Sequence, residues 1–296
     1  MISFLSTRLL CAVTLTGLLA GSAQAVIISG GSGSAPLNNT APANDPGWDR
    51  VGSFGNGTGV YLGNGWVLTA AHVNVSTFDV NGTSYTTTGA TQNIANPTLP
   101  GLNTTHTDLR LHQINLSAGD PLASLGALNL ASSPVTTNTA GVMIGTGVTQ
   151  TSQTASHFAG GDSGFFWDTS RDKQWANIGV DQIGEISTLN GTDVVGFLSP
   201  FDNIAGSGSA SNHDSGAPLF VLDNGQWVLA GLAHAVGPLS TTGGNNTLAL
   251  HDQTNTFFSD LSFYASAINS IVVIPEPSAA LLILLGLPAL MGRRRR

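Results

Sequence analysis

Four short stretches carry the side chains suited to covalent chemistry. His72 ends "NGWVLTAAH", Asp108 opens "DLRLHQI", and each of two Asp-Ser-Gly triplets holds a serine, Ser163 in "FAGGDSGFFW" and Ser215 in "NHDSGAPLF". A serine hydroxyl is a weak nucleophile at neutral pH, so one that attacks a carbonyl needs a neighbouring base. An imidazole can take its proton, and a carboxylate on the other ring nitrogen fixes the tautomer. His72 follows the apolar run "WVLT", and the small Ala70 and Ala71 let its ring lean toward a neighbouring loop. Asp108 precedes Leu109 and Leu111, whose alternation sends the leucines into a core and leaves the carboxylate at a rim. His106, His112, His157 and His251 lack the spacing of metal ligands, and no metal or cofactor is expected.

The elements that must position these groups read as strands. "VGSF", "TGVYLGNGWVLT", "TFDV", "SYTTT" and "DLRLHQINL" are separated by Gly, Asn and Ser, as in antiparallel hairpins. A looser stretch around residues 116–138 divides them from a second group: "GVMIGTGVTQ", "FFW", "QWANIGV", "DVVGFLSP", "PLFVL", "QWVLAGLAHAV" and "NTLALHD". Only residues 256–272 have a helical period, with Phe257, Leu261, Tyr264, Ile268 and Ile271 on one face and Ser259 with Asp260 at the start. The fold class expected is all-β, closed by one C-terminal helix.

The order "WVLTAAHV", "TDLRLHQI", then an Asp-Ser-Gly triplet resembles the chymotrypsin-like (trypsin-like) serine peptidases across residues 48–272. The resemblance implies two six-stranded antiparallel β-barrels with the active site between them and a C-terminal helix. It also implies an endopeptidase working through a His72, Asp108, serine triad and an acyl-enzyme. In that family the nucleophile comes late in the second barrel. Ser163 lies only 18 residues beyond Gly145, whereas Ser215 lies 70 beyond it, with strand-like runs between. Ser215 is therefore the expected nucleophile, followed by Gly216, Ala217 and Pro218, and Ser163 with Asp162 belongs to a Gly-rich turn.

The family pattern assigns the oxyanion hole to the amides of His213 and Ser215. His213 departs from that pattern, which has glycine there because the backbone takes an unusual φ. A catalytically weak or inactive module acting in adhesion or matrix binding is therefore the alternative. Counting back six residues from the nucleophile gives Ser209 at the base of the primary pocket, and no acidic residue lies there to select Lys or Arg. His234, Ala235 and Val236 form a wall near the substrate, and Val236 in place of glycine implies a small or apolar residue before the cut. His234 is open to two further readings, a receptor for an acidic side chain or a hydrogen-bonded structural histidine. Asp214 matches the aspartate that family members made as zymogens pair with a freed N-terminal amine; a solvated chain end is the default here.

Both termini read as addresses. Residues 1–25 combine Arg8, an apolar core and small residues at Ala23 and Ala25, the pattern of a secretory signal cut before Val26. Residues 26–47 lack periodicity and read as a flexible segment. Residues 273–296 join Pro275, Glu276 and Pro277 to a short apolar run and four arginines, which resembles the PEP-CTERM sorting signal of Gram-negative bacteria. That resemblance implies an exosortase-type enzyme as partner, membrane contact before processing, and export to the envelope or medium. The single cysteine, Cys11, lies in the signal, so no disulfide is expected. Residues 26–275 carry sixteen acidic and four basic side chains, about minus twelve, which excludes the basic stripe that nucleic acid needs. Protein or peptide is the expected substrate.

Overall fold

The computed structural model describes residues 26–30, 38–154, 163–242 and 246–272. Residues 1–25 and 273–296, expected above to be a secretory signal and a sorting tail, lie outside them. The strands of the first half are β1 (Ile27–Ile28), β2 (Val51–Phe54), β3 (Gly57–Gly63), β4 (Trp66–Ala70), β5 (Phe78–Val80), β6 (Thr83–Tyr85), β7 (Thr87–Ala95) and β8 (His106–Ile114). In the second half come β9 (Ala140–Gly145), β10 (Val148–Thr154), β11 (Gly164–Arg171), β12 (Gln174–Gly179), β13 (Gln182–Leu189) and β14 (Thr192–Pro200). They are followed by β15 (Gly208–Ser209), β16 (Pro218–Asp223), β17 (Gln226–Gly237), β18 (Ser240–Thr242), β19 (Asn246–Leu250), β20 (Asn255–Asp260) and the helix α1 (Ala265–Val272).

The two halves each form a seven-stranded antiparallel sheet, in the orders β6-β5-β2-β3-β4-β8-β7 and β12-β9-β16-β17-β20-β14-β13. The expected all-β class with one C-terminal helix is what the chain adopts, each sheet having seven strands. A further four-stranded sheet, β10-β11-β19-β18, stands beside the second half, and β1 pairs with β15. The hairpins are encoded locally. Four Asn-Gly pairs, at 64–65, 81–82, 190–191 and 224–225, all have positive φ at both residues. Double left-handed turns of this kind match the twist of the strands they join, and Asn and Gly enter that region at least cost.

Three large clusters make up most of the core, with two small ones around Phe201 and Leu248 beside them. Phe54, Tyr61, Val67 and Phe78 fill the first sheet. Met143, Phe197, Leu219 and Phe258 fill the second, where the rings of Phe197 and Phe258 stack at 5.4 Å. The third joins the halves, packing Val60, Leu68 and Leu111 against Ile144, Phe220, Leu232 and the helix residues Ile268 and Val272.

The helix is shorter than its periodicity predicts. Residues 255–260 are strand β20, paired with both β14 and β17. Thr256, Phe257 and Phe258 are strand formers, and burial in the sheet overrides the helical spacing they share with later residues. Asp260 then accepts the Ser262 N–H at 3.1 Å and caps a 3₁₀ turn, after which α1 begins.

Candidate active site

His72 sits on the tight turn that ends β4. The Ala71 N–H donates to the carbonyl of Asp108 at 3.0 Å, so the turn is tied to β8 at the aspartate itself. Asp108 is 2 % exposed. Its Oδ1 accepts the main-chain N–H of His72 at 2.9 Å, and its Oδ2 faces His72 Nδ1 at 2.6 Å. On the other edge of the ring, His72 Nε2 lies 2.8 Å from Ser215 Oγ. The serine hydroxyl also has the carbonyl of His234 at 3.3 Å. The three residues singled out in the sequence, 143 positions apart at the extreme, thus form one continuous line of hydrogen bonds.

Burial alone would push the Asp108 carboxyl up, but hydrogen bonds from His234 and His72 outweigh it and hold the group well below the usual carboxylate range. It stays ionised throughout the neutral range. An ionised, tethered carboxylate on Nδ1 leaves Nε2 of a neutral His72 as the acceptor facing the serine.

The loop carrying Ser215 is fixed from both sides. Its carbonyl accepts the Thr58 N–H of β3 at 2.9 Å, and Gly216 N–H donates to Ala233 of β17 at 2.8 Å. Gly216 has φ +93°, and a Cβ there would come within 2.0 Å of the Thr58 carbonyl. Only glycine allows the loop to approach β3 this closely.

His213 has φ 73°, the left-handed conformation that the sequence reading reserved for glycine. Its ring Nδ1 stands 2.6 Å from the Asn56 carbonyl, and its own carbonyl accepts Thr58 Oγ1 at 3.1 Å. These two anchors to the first half hold a conformation that costs a side-chain-bearing residue some energy. Among the described residues, neither the His213 nor the Ser215 main-chain N–H has a protein acceptor. Two unpaired amides flanking a serine are the donor pair an oxyanion would need.

Ser163 is elsewhere. Its Oγ lies 2.7 Å from His251 Nδ1, and its carbonyl accepts the His251 N–H, tying β11 to the turn after β19. The ring of His251 packs on Phe201 at 4.5 Å, and burial lowers its proton affinity. Asp162 lies outside the described residues.

Beside Ser215 opens a cavity of about 290 Å³, lined among others by Ala210, Ser211, Ala233, Ala235 and Val236. Ser209 is not in that wall. It is 1 % exposed and pairs with Ile27, so counting back without gaps lands one residue behind the surface formed by Ala210. His234 touches the cavity, but its ring reaches the other way: Nδ1 is 3.2 Å from Asp108 Oδ2. Of the readings open to it, the buried hydrogen-bonded histidine is the one this geometry matches, and the ring does not point at a substrate side chain. Trp167 and Leu239 complete the wall and were not anticipated. The alternation of Phe165 and Trp167 along β11 was the available signal. Ligand atoms of His72, Asp108 and His234 lie within 4.8 Å of one another, but hydrogen bonding accounts for that spacing and no ion is assigned there.

Residues 26–30 also depart from expectation. Residues 26–47 read as flexible, with a solvated end at Val26. Instead Val26, Ile27 and Ile28 are fully buried, and β1 is paired with β15 directly upstream of the Ser215 loop. Asp214 is buried too, accepting from Gly147 N, Ser211 N and Ser211 Oγ at 2.8 to 2.9 Å. A Cβ built on Gly145 would fall 2.2 Å from Asp214 Oδ1 and 2.8 Å from Val26 Cγ2, so the carboxylate and the Val26 side chain face the same glycine. Burial raises the Asp214 carboxyl to about 6 despite those donors.

No protein-family model and no curated protein sequence matches the chain. Among solved structures it is similar to a mutant of human heparin binding protein (CAP37), at 16 % identity and a TM-score of 0.49 over 81 % of this chain and 97 % of that one. It is similar also to neuropsin, a serine protease of mouse brain, at 16 % and 0.48 over 80 % and 98 %. A third is the Ser343Ala mutant of Rv3671c from M. tuberculosis in an inactive form, at 16 % and 0.45 over 83 % and 97 %.

Proposed function

We propose that this chain is a serine endopeptidase of the chymotrypsin-like type. The observation that carries the reading is the line Asp108 Oδ2, His72 Nδ1, His72 Nε2, Ser215 Oγ, with heavy-atom gaps of 2.6 and 2.8 Å. In the reaction, Ser215 Oγ attacks the scissile carbonyl carbon as its proton passes to His72 Nε2. Negative charge gathers on the carbonyl oxygen, toward which the His213 and Ser215 amides donate; each such donor is worth about 3 kcal/mol. The carbon–nitrogen bond then breaks, the amine leaves with the proton from His72, and water repeats the sequence to release the acyl group. Asp108 keeps the imidazole oriented and balances its charge while protonated.

The cavity beside Ser215 supports a small or apolar side chain on the acyl side of the cut. Val236, Trp167 and Leu239 line it, and its one carboxylate, Asp214, is tied down by Ser211 and Gly147. The left-handed backbone at His213 speaks against the alternative of an inactive adhesion module, because the residue takes the conformation for which the family pattern has glycine.

Removal of the signal completes the site in this proposal. Val26 has φ 56°, an outlying conformation for a β-branched residue preceded by a peptide bond. Cutting before Val26 abolishes that dihedral and creates an ammonium within the pocket of Asp214. Export by the signal and recognition of residues 273–296 by an exosortase-type enzyme belong to the same reading.

A fluorophosphonate probe tests the core of it. The chain beginning at Val26 and its Ser163→Ala variant are expected to label, and Ser215→Ala is not. Label retained in Ser215→Ala and lost in Ser163→Ala would reverse the assignment, and no label in any of the three would favour the adhesion module.

A further inference from the structure

The buried imidazole of His234 has no task in the reaction as written, yet it shares an acceptor atom with the one that has. Asp108 Oδ2 receives His72 Nδ1 at 2.6 Å and His234 Nδ1 at 3.2 Å. The His234 side chain is 0 % exposed, and its Nε2 has no partner among the described residues. The two rings stand 6.4 Å apart, tilted by 49°, and Phe257 backs His234 at 6.4 Å. A fully buried ring favours the neutral form, which carries a single proton. With a carboxylate at Nδ1 and no partner at Nε2, that proton resides on Nδ1. His234 is therefore a second N–H donor to the same oxygen.

We propose that His234 is a positioning residue that acts through Asp108 and sets how far into acid the site keeps working. This rests on the peptidase reading above. The physical basis is charge sharing. A protonated His72 is stabilised by the negative charge on Asp108, and every other donor to that carboxylate draws part of the charge away. With His234 in place, His72 is less readily protonated, so it remains a base at lower pH. The ionisable groups that act on Asp108 are these two imidazoles, one from the turn after β4 and one from β17. His234 in turn feels only Asp108 and His72. No other charged group facing the carboxylate confuses the sign.

Two variants remove the donor, His234→Phe with the planar ring kept and His234→Leu without it. In His234→Asn the side-chain amide falls near the place of Nδ1 and restores a donor. The rate of fluorophosphonate labelling is measured against pH on the chain beginning at Val26 and on the three variants made in it, together with an NMR titration of the His72 ring protons. The pH at which reactivity is half lost on the acid side is expected to rise by about one unit in His234→Phe and His234→Leu. In His234→Asn it returns to the original value, and the NMR midpoints follow the same pattern. Coincident midpoints in all four proteins would overturn the proposal. The titration reads His72 whether or not the serine reacts. A chain that titrates as expected but never labels sinks the peptidase reading alone, and one that labels without any shift sinks this one alone.

Discussion

At the scale of single residues, the informative position is His213. A side chain there was the main reason to doubt catalysis, because the left-handed region disfavours residues with a Cβ. The structure puts His213 in that region at φ 73° and secures it through Asn56 and Thr58. His213→Gly should keep the rate of probe labelling within about threefold, since glycine enters the conformation freely and the ring makes no contact with the reacting atoms. His213→Val should cost about five- to thirtyfold, because a β-branched residue resists positive φ by about 1–2 kcal/mol. Equal rates in the two variants would mean that the backbone conformation is not what the site requires. His234 shows the reverse case. Its type was visible in "AGLAHAVG", but a direction toward Asp108, 126 positions away, was not.

Among elements, β1 carries the sharpest consequence. Its pairing with β15 brings Val26 beside a carboxyl that burial has raised to about 6. A carboxyl whose folded value is raised favours the protonated fold, so its contribution is fully present in acid and is lost as pH rises through about 6. A chain that retains one residue before Val26 should lose thermal stability between about pH 4 and 7 relative to one that begins at Val26, where an ammonium offsets the carboxylate. Its labelling rate at pH 7.5 should be lower by at least tenfold. Equal melting curves and equal rates would show that the amine plays no part. Asp214→Asn should erase the pH dependence that separates the two chains.

For the whole molecule, the site is a seam between two sheets, and the few cations of the second half help hold it. The Arg171 guanidinium donates to the carbonyls of Gly55 and Gly57 on the first half and of Thr146 on the second, at 2.9 to 3.1 Å. Lys173, the chain's lone lysine, lies 4.4 Å from the Trp48 ring centroid and donates to its carbonyl. Because β3 supplies both Gly57 and the Thr58 contact to Ser215, loosening this clamp reaches Ser215. Arg171→Met is expected to lower the melting temperature by about 5 °C, the loss of roughly 2 kcal/mol of charge-assisted hydrogen bonds in a domain of this size. Probe labelling should slow in parallel when both are followed on one preparation. An unchanged melting point would show that the interlocking core alone holds the seam.

Strands and turns were legible in the order of residues because their causes are local: alternation along a strand, Asn-Gly at a turn, small residues before His72. The order of the histidine, aspartate and serine motifs, read through a resemblance, also singled out Ser215 over Ser163. The second imidazole on Asp108, the burial of Val26, the displacement of Ser209 from the cavity and the late start of the helix were decided by tertiary structure. Each depends on how two sheets set their registers against one another. That packing balances burial, hydrogen bonding and charge among residues far apart in the chain, which no window of neighbouring letters contains.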